Sequence, residues 1–273
     1  MEWAGFLDYI KTIYSEPLFW LFPVGSTVIG IVAFQVWALP MTWLAWKDFP
    51  SLRKYRIQDR KIDVGYWMKA SYRSMAVNYS VGFVSIVLSW PLLRLSGVHA
   101  GPLPAWYVIV AQVLFFIVLD DFLYYWMHRA MHTRWLFKHV HAYHHRVRTP
   151  CAVAGNYLHW GEYLATISLI LVGPVLLGAH VLTLWIWVVV RQLEAADGHF
   201  GYDLPWNPLR FLPLYDGTSY HDFHHGRFKG NFAGALGYMD KLFGTRSDGY
   251  DRYEALKEEG AAPAEAWQGS TGK

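Results

Sequence analysis

Thirteen histidines occur in this 273-residue chain, and nine of them fall in four tight places. The first is His128-x-x-x-His132, a spacing that puts both rings on one face of a helix. The second is His141-x-x-His144-His145, where helical geometry would align His141 with both of the others. The third is an isolated His199 in Glu194-Ala-Ala-Asp197-Gly-His199, and the fourth, His221-x-x-His224-His225, repeats the spacing of the second. A lone histidine is more often an interfacial or hydrogen-bonded side chain than a ligand, the reading given to His99, His139, His159 and His180. Repeated clusters of this density point instead to coordinated metal.

The single Cys151 excludes an iron–sulfur cluster, a cysteine-based zinc site and an internal disulfide. One tetrahedral ion takes four ligands, so eight or nine imidazoles imply two ions. Imidazole suits iron, zinc, copper and nickel alike, and haem would leave most of these rings unused. No His-Glu-x-x-His motif supplies the base of a zinc hydrolase, although Asp222 lies between His221 and His224. Ligand chemistry favours a redox-active di-iron centre, with a metal hydrolase and a metal transporter or store left open. Neutral imidazoles ligate, so the site should weaken at low pH. The acids nearest in sequence, Asp121, Glu194, Asp197 and Asp222, are candidates to accept the second N–H of a ligand ring, or else to cap helices and face solvent.

The elements that must position these rings are written in the apolar runs. The chain is 54% hydrophobic and 18% aromatic with 15 Trp, but only 16% charged, against about 25% charged in a soluble domain. A net charge of +3 gives no reason to expect nucleic acid as a partner. Four stretches lack charged side chains for about a bilayer's thickness: Leu18 to Leu39, Ser74 to Leu93, Pro102 to Leu119 and Tyr163 to Val190. None reads as a cleavable signal peptide. The fourth would make a single helix of about 42 Å and carry the last cluster to the opposite face. Gly173-Pro174 and Gly178 in its middle predict a hairpin that dips in and returns.

Lys and Arg crowd Met41 to Arg73 and Met127 to Glu162, while Ser96 to Gly101 carries neither. The positive-inside rule then places the N-terminus outside (or lumenal) and the histidine clusters at the cytosolic face. The Met41–Arg73 segment could lie at the headgroups as an amphipathic stretch. The expected fold is an all-α integral membrane protein of about four transmembrane stretches, the last a hairpin, with a cytosolic histidine-rich helical cap. We expect one domain over 1–273, with 251–273 a polar tail of one short helix and a frayed end.

The run Asp120-Asp121-Phe-Leu-Tyr124-Tyr125-Trp126-Met-His128-Arg129-Ala-Met-His132 resembles the first histidine box of the fatty acid hydroxylase superfamily (sterol desaturase family). His141-Ala-Tyr-His144-His145 resembles its second box, and His221-Asp222-Phe-His224-His225 before Phe228 and Gly230-Asn231-Phe232 resembles its third. Glu194 to Pro205, and Asn207-Pro208-Leu209 through Tyr215, are similar to the C-4 methylsterol oxidase branch, over about 120–244 in all. The resemblance implies a membrane di-iron monooxygenase with O2 as co-substrate, acting on a sterol or other lipid in the endoplasmic reticulum or a bacterial inner membrane. Fatty-acyl, sphingolipid and carotenoid substrates are the alternatives. It also implies an external cytochrome b5 or ferredoxin-type electron donor with an NAD(P)H reductase. Its ligand set maps onto His128, His132, His141, His144, His145, His199, His221, His224 and His225. Zinc could replace iron in purified samples. Two departures stand out. Ala195 occupies a position where some lipid hydroxylases have a further histidine, a gap that a water held by Asn156, or Asp197, could fill. His159-Trp160-Gly-Glu162 stands where the family often has His-Pro-x-Glu.

Overall fold

The computed structural model describes residues 3–270. Among these residues the chain is helical with no strands, only isolated backbone bridges. A short helix α1 (Trp3–Ser15) precedes three long ones: α2 (Pro17–Lys47), α3 (Val64–Leu93) and α4 (Trp106–Met131). Each of the three is long and apolar enough to cross a membrane. Their outward side chains are apolar and uncovered, with Val28, Val32 and Val36 of α2 all more than half exposed and Leu88 of α3 73% exposed. Water would penalise such a surface, whereas lipid tails cover it at no cost. The protein is a multi-pass membrane protein.

The expected hairpin is present as α6 (Trp160–Leu176) and α7 (Val181–Asp197). Its break falls at Gly178, whose φ of +53° suits glycine, while Gly173-Pro174 stays inside α6. A Cβ at Gly173 would lie 2.5 Å from the ring of Phe116, so this glycine lets α4 pack tightly on α6. The tip does not turn part-way. His99 N donates to Ala179 O at 3.3 Å and Val181 N donates to His99 O at 2.9 Å, tying it to the loop that joins α3 to α4. Both arms therefore run the depth of the bundle, and the irregular backbone at the tip is satisfied by protein. Trp90 Nε1 donates to Ile13 O at 2.7 Å, which fixes α1 at this same end.

At the opposite end the chain builds the cap. It comprises α5 (Arg134–His139), 3-10 turns at His141–Arg146 and Ala152–Asn156, α8 (Thr218–Arg227), α9 (Tyr238–Leu242), α10 (Asp248–Glu258) and α11 (Pro263–Gly269). Two expectations are corrected here. The segment after Lys47, expected as an amphipathic stretch at the headgroups, is tied into the cap, because Ile57 is fully buried and Gln58 donates to Arg148 O and to Asp222. The polar tail does not fray over its described part: Tyr253, Ala266 and Trp267 are buried, and Trp267 lies 4.8 Å from the ring of Phe223 beneath the third box. Burial of two large aromatics outweighs the charged, Ala-rich remainder of that segment. The last three residues of the expected tail, 271–273, lie outside the described residues.

Candidate metal centre

Four elements bring the histidines together. The end of α4 carries His128 and the adjoining His132, and the 3-10 turn carries His141, His144 and His145. The backbone just past α7 carries His199, and α8 carries His221, His224 and His225. The second box is a 3-10 turn rather than the α-helix its spacing allowed, yet all three of its rings are buried. The nine rings form two groups. His128, His132, His141, His145 and His224 make one, and His144, His199, His221 and His225 make the other. Within each group the candidate ligand atoms lie within 4.8 Å of one another.

The hydrogen bonds behind the rings decide what these groups can hold. His128 Nδ1 donates to Phe232 O at 2.7 Å, and His224 Nδ1 to Gly230 O at 2.7 Å. His225 Nδ1 donates to Val147 O at 2.8 Å, His199 Nδ1 to Ala195 O at 3.0 Å, and His144 Nδ1 to Tyr157 O at 3.2 Å. His141 Nδ1 donates to the Glu162 carboxylate at 2.8 Å. A neutral imidazole that donates through Nδ1 presents a bare lone pair at Nε2. These lone pairs face each other: His128 and His141 Nε2 are 3.1 Å apart, His199 and His225 3.1 Å, and His199 and His144 3.2 Å. No proton is available to bridge them, so the contacts are repulsive unless a cation sits between. Ligand bonds of about 2.0–2.1 Å set donor atoms roughly 2.9–3.3 Å apart for octahedral to tetrahedral angles. The observed range of 2.9–3.2 Å across both groups fits.

Burial depresses the basicity of the rings, and neighbouring rings add to it. His144 is pushed down to about 4, and His132 and His199 to about 3. Burial also pushes the Cys151 thiol up to about 12, which removes it as a thiolate ligand. A prediction follows for the metal-free chain. Above about pH 6.5 folded and unfolded rings are both neutral. Below it the unfolded chain binds protons that the buried rings refuse, so stability falls with pH. Buried carboxyls such as Asp222, pushed up to about 7, oppose this, but fewer of them are raised than rings are lowered. The melting temperature in detergent should be lower at pH 5 than at pH 7.5; an equal or higher value would contradict the assignment of buried neutral rings.

The sequence-proposed partners of the ligand rings are placed elsewhere. Asp121 accepts from Ala235 N and Leu236 N at 2.9 and 3.0 Å, and so ties α4 to the cap. Asp197 accepts from Asn207 and Thr218, Asp222 accepts from Gln58 at 2.7 Å, and Glu194 pairs with Arg191. Asn156 lies on a cavity wall. Among the described residues none of these five bonds a ring of the nine. Five backbone carbonyls and Glu162 do that work. Backbone acceptors leave no mark in the residue alphabet, and Glu162 was visible only as the acid of a neighbouring motif in which Trp160 replaces the usual Pro. Glu162→Ala should weaken metal retention by about 10–100-fold in chelator competition, and Glu162→Gln should recover part of it. Unchanged retention in both would show that Glu162 does not orient His141. His159 and His180 accept from Gly161 N and Leu182 N as helix caps, and His139 packs at a tilt against Trp135. None of the three faces either group.

The groups differ in their surroundings. A cavity reaches His144, His199 and His221 of the four-ring group between α4, α6 and α7. Asp120, Tyr124, Arg191 and Glu194 line its polar side, and Ile117, Ile167 and Ile170 its apolar side. A second cavity between α2, α3, α6 and α7 shares Asn156, Tyr163, Ile167, Ile170 and Gln192 with it. The first cavity touches the four-ring group, and the second lies among the membrane helices on the other side of these shared residues. Ala195, where a tenth ring would stand, is part of the first cavity's wall.

Residues 113–245 match the family model described as fatty acid hydroxylase. Methylsterol monooxygenase 2-2 of Arabidopsis thaliana is 38% identical over 257 residues, covering 93% of this chain and 95% of that protein. The chain belongs to the fatty acid hydroxylase family. Very-long-chain aldehyde decarbonylase GL1-11 of Oryza sativa subsp. japonica is 43% identical over 219 residues, 79% of this chain and 82% of that one. Methylsterol monooxygenase 2-1 of Arabidopsis thaliana is 36% identical over 266 residues, 92% and 96% of the two chains. No solved structure matches. The histidine-box resemblance is thereby borne out, and the protein is an oxidoreductase of a membrane-enzyme family.

Proposed function

We propose that this chain is a di-iron, O2-dependent monooxygenase that hydroxylates a lipid C–H bond, with a 4-methylsterol as substrate. The observation that carries the reading is the opposed Nε2 lone pairs in two groups, one of them open to a cavity between membrane helices. His128, His132, His141, His145 and His224 would hold one iron, and His144, His199, His221 and His225 the other. Iron bound there would supply the reductive activation of O2: RH + O2 + 2e⁻ + 2H⁺ gives ROH + H2O. A catalytic ion needs an open position, and an ion held by the four-ring group would have the cavity beside His144, His199 and His221 available for one.

The chain's own residues do the rest. The Nδ1 bonds fix each ring's tautomer and direction. Ile167 and Ile170 offer an apolar path for a flat hydrocarbon, while Arg191 and Glu194 offer a donor and an acceptor for one polar group near the reacting carbon. A sterol with a hydroxyl beside its methylated carbon fits that pattern. Glu194 and Tyr124 border the same space and are the groups placed to hold a proton there. Closure by α4, α6 and α7 keeps bulk water from the reacting carbon. The substrate would enter sideways from the bilayer, and electrons would come from a separate carrier. The histidine cap would face the cytosol of an endoplasmic reticulum or bacterial inner membrane, with the N-terminus on the other side.

A second reading has a specific observation behind it: the aldehyde decarbonylase relative is 43% identical. A long-chain aldehyde could place its carbonyl on Arg191 by the same geometry. Incubating the reconstituted protein with O2 and a reductant, with a 4-methylsterol or a long-chain aldehyde, separates the two. Hydroxylated sterol by mass spectrometry supports the proposal; hydrocarbon from the aldehyde and untouched sterol would replace it.

A further inference from the structure

The five-ring group approaches the surface on the side away from the cavity. His132 is the one ring of the nine that is not fully buried. Two phenylalanines cover it: Phe137 lies 5.3 Å from His132 and 5.7 Å from His145, and Phe228 lies 4.9 Å from His145. These rings lie 6.3 Å from each other and are themselves partly exposed. Only one aromatic layer therefore separates the surface from the candidate ligands. Phe228 holds its place at φ +63°, in the left-handed region that bulky residues avoid, as the residue ending α8. A glycine would relieve that conformation and uncover His145.

On the segments that carry this window the charge has one sign. Arg134 and Lys138 flank Phe137 on α5, Lys229 follows Phe228, and Arg148 sits 5.2 Å over the Phe228 ring. All four are exposed. No Asp or Glu occurs in 127–161 or in 223–239. A basic ring about a thin aromatic cover is what a negatively charged redox protein needs in order to dock with its centre close to a buried acceptor.

We propose that Arg134, Lys138, Arg148 and Lys229 around Phe137 and Phe228 form the docking surface for a small acidic one-electron carrier, which reduces the five-ring iron. This rests on the di-iron reading above. Each docking oxidises the carrier by one electron and reduces the centre by one. Two dockings supply the two electrons that, with two protons, each O2 consumes. Electrons thus enter at one group and substrate at the other, so carrier and lipid do not compete for space.

The test uses the full chain in nanodiscs of neutral lipid, with the soluble haem domain of a cytochrome b5 and a two-iron, two-sulfur ferredoxin as probes. Binding to the metal-free protein is read by thermophoresis over a range of salt. Affinity should fall as salt rises, and the triple variant Lys138→Glu, Arg148→Glu, Lys229→Glu should weaken it at least 10-fold. The milder set with Gln at the same three positions should lie between, which guards against misfolding of the reversal. Lys11→Glu, on α1 at the other end of the bundle, should change nothing. In turnover the triple variant should raise KM for the carrier 10-fold or more, with kcat on dithionite within 2-fold of the parent. Unchanged carrier affinity in both triple variants would overturn the proposal. So would a loss confined to binding of phosphatidylserine vesicles, which would make the patch a lipid-headgroup site. If neither dithionite nor carrier supports any oxidation, the di-iron reading fails, separately from the docking result.

Discussion

Replacing His144 with alanine is expected to remove one of two bound irons and lower lipid oxidation by more than ~100-fold, since loss of a ligand should exceed the 10–100-fold typical of losing a ligand's hydrogen-bond partner. His144 is buried in the four-ring group, with Nδ1 committed to Tyr157 O and Nε2 3.2 Å from that of His199. Alanine leaves three rings there, and the His199 lone pair loses one of its fellow donors. His180→Ala is the matched control. That ring caps α7 by accepting from Leu182 N at 3.0 Å, at the far end of the bundle. Its loss should cost about 1 kcal/mol of stability and leave both irons in place. Iron per chain by mass spectrometry and product by lipid extraction check both variants. Equal iron content in the two would remove His144 from the centre.

Ile167→Trp should separate substrate access from metal binding. Ile167 lines both cavities, so an indole there would take up space between the membrane helices and the four-ring group. Turnover of a sterol should fall at least ~10-fold, because a misplaced reacting carbon forfeits proximity. Iron content should stay at the parent's level, as Ile167 is neither one of the nine rings nor an acceptor of their Nδ1 hydrogen bonds. Full sterol turnover with the tryptophan in place would mean that the substrate arrives by another route.

The grouping of the rings was legible because their spacing is periodic. Spacing of three and four residues recurs in both His-x-x-His-His boxes, and it holds whether the backbone is α, as at His221–His225, or 3-10, as at His141–His145. The long apolar helices were legible too: burial in lipid demands uninterrupted hydrophobic runs. Gly178 marked the hairpin, although Pro174 looked an equal candidate and is simply carried within α6. The supports of the site were much less visible. Phe232, Gly230, Val147, Ala195 and Tyr157 act through carbonyl oxygens, which every residue has. Glu162 sits 21 residues from His141, and only the fold of α6 beside the 3-10 turn makes them neighbours. Asp121 and Asp197, two of the acids nearest to the histidines in sequence, went to structural tasks instead. Asp121 binds the backbone of the cap, and Asp197 gathers the loop at Asn207 and Thr218. The tail was misread because its charge hid Tyr253 and Trp267, two aromatics that complete the packing behind α8.

The two-group arrangement makes one quantity decisive. Anaerobic reconstitution with ferrous iron, removal of excess by gel filtration and Mössbauer counting should give two high-spin ferrous ions per chain, both bound mainly by nitrogen. One ion per chain, or iron retained undiminished after His144→Ala and His225→Ala together, would contradict a paired centre.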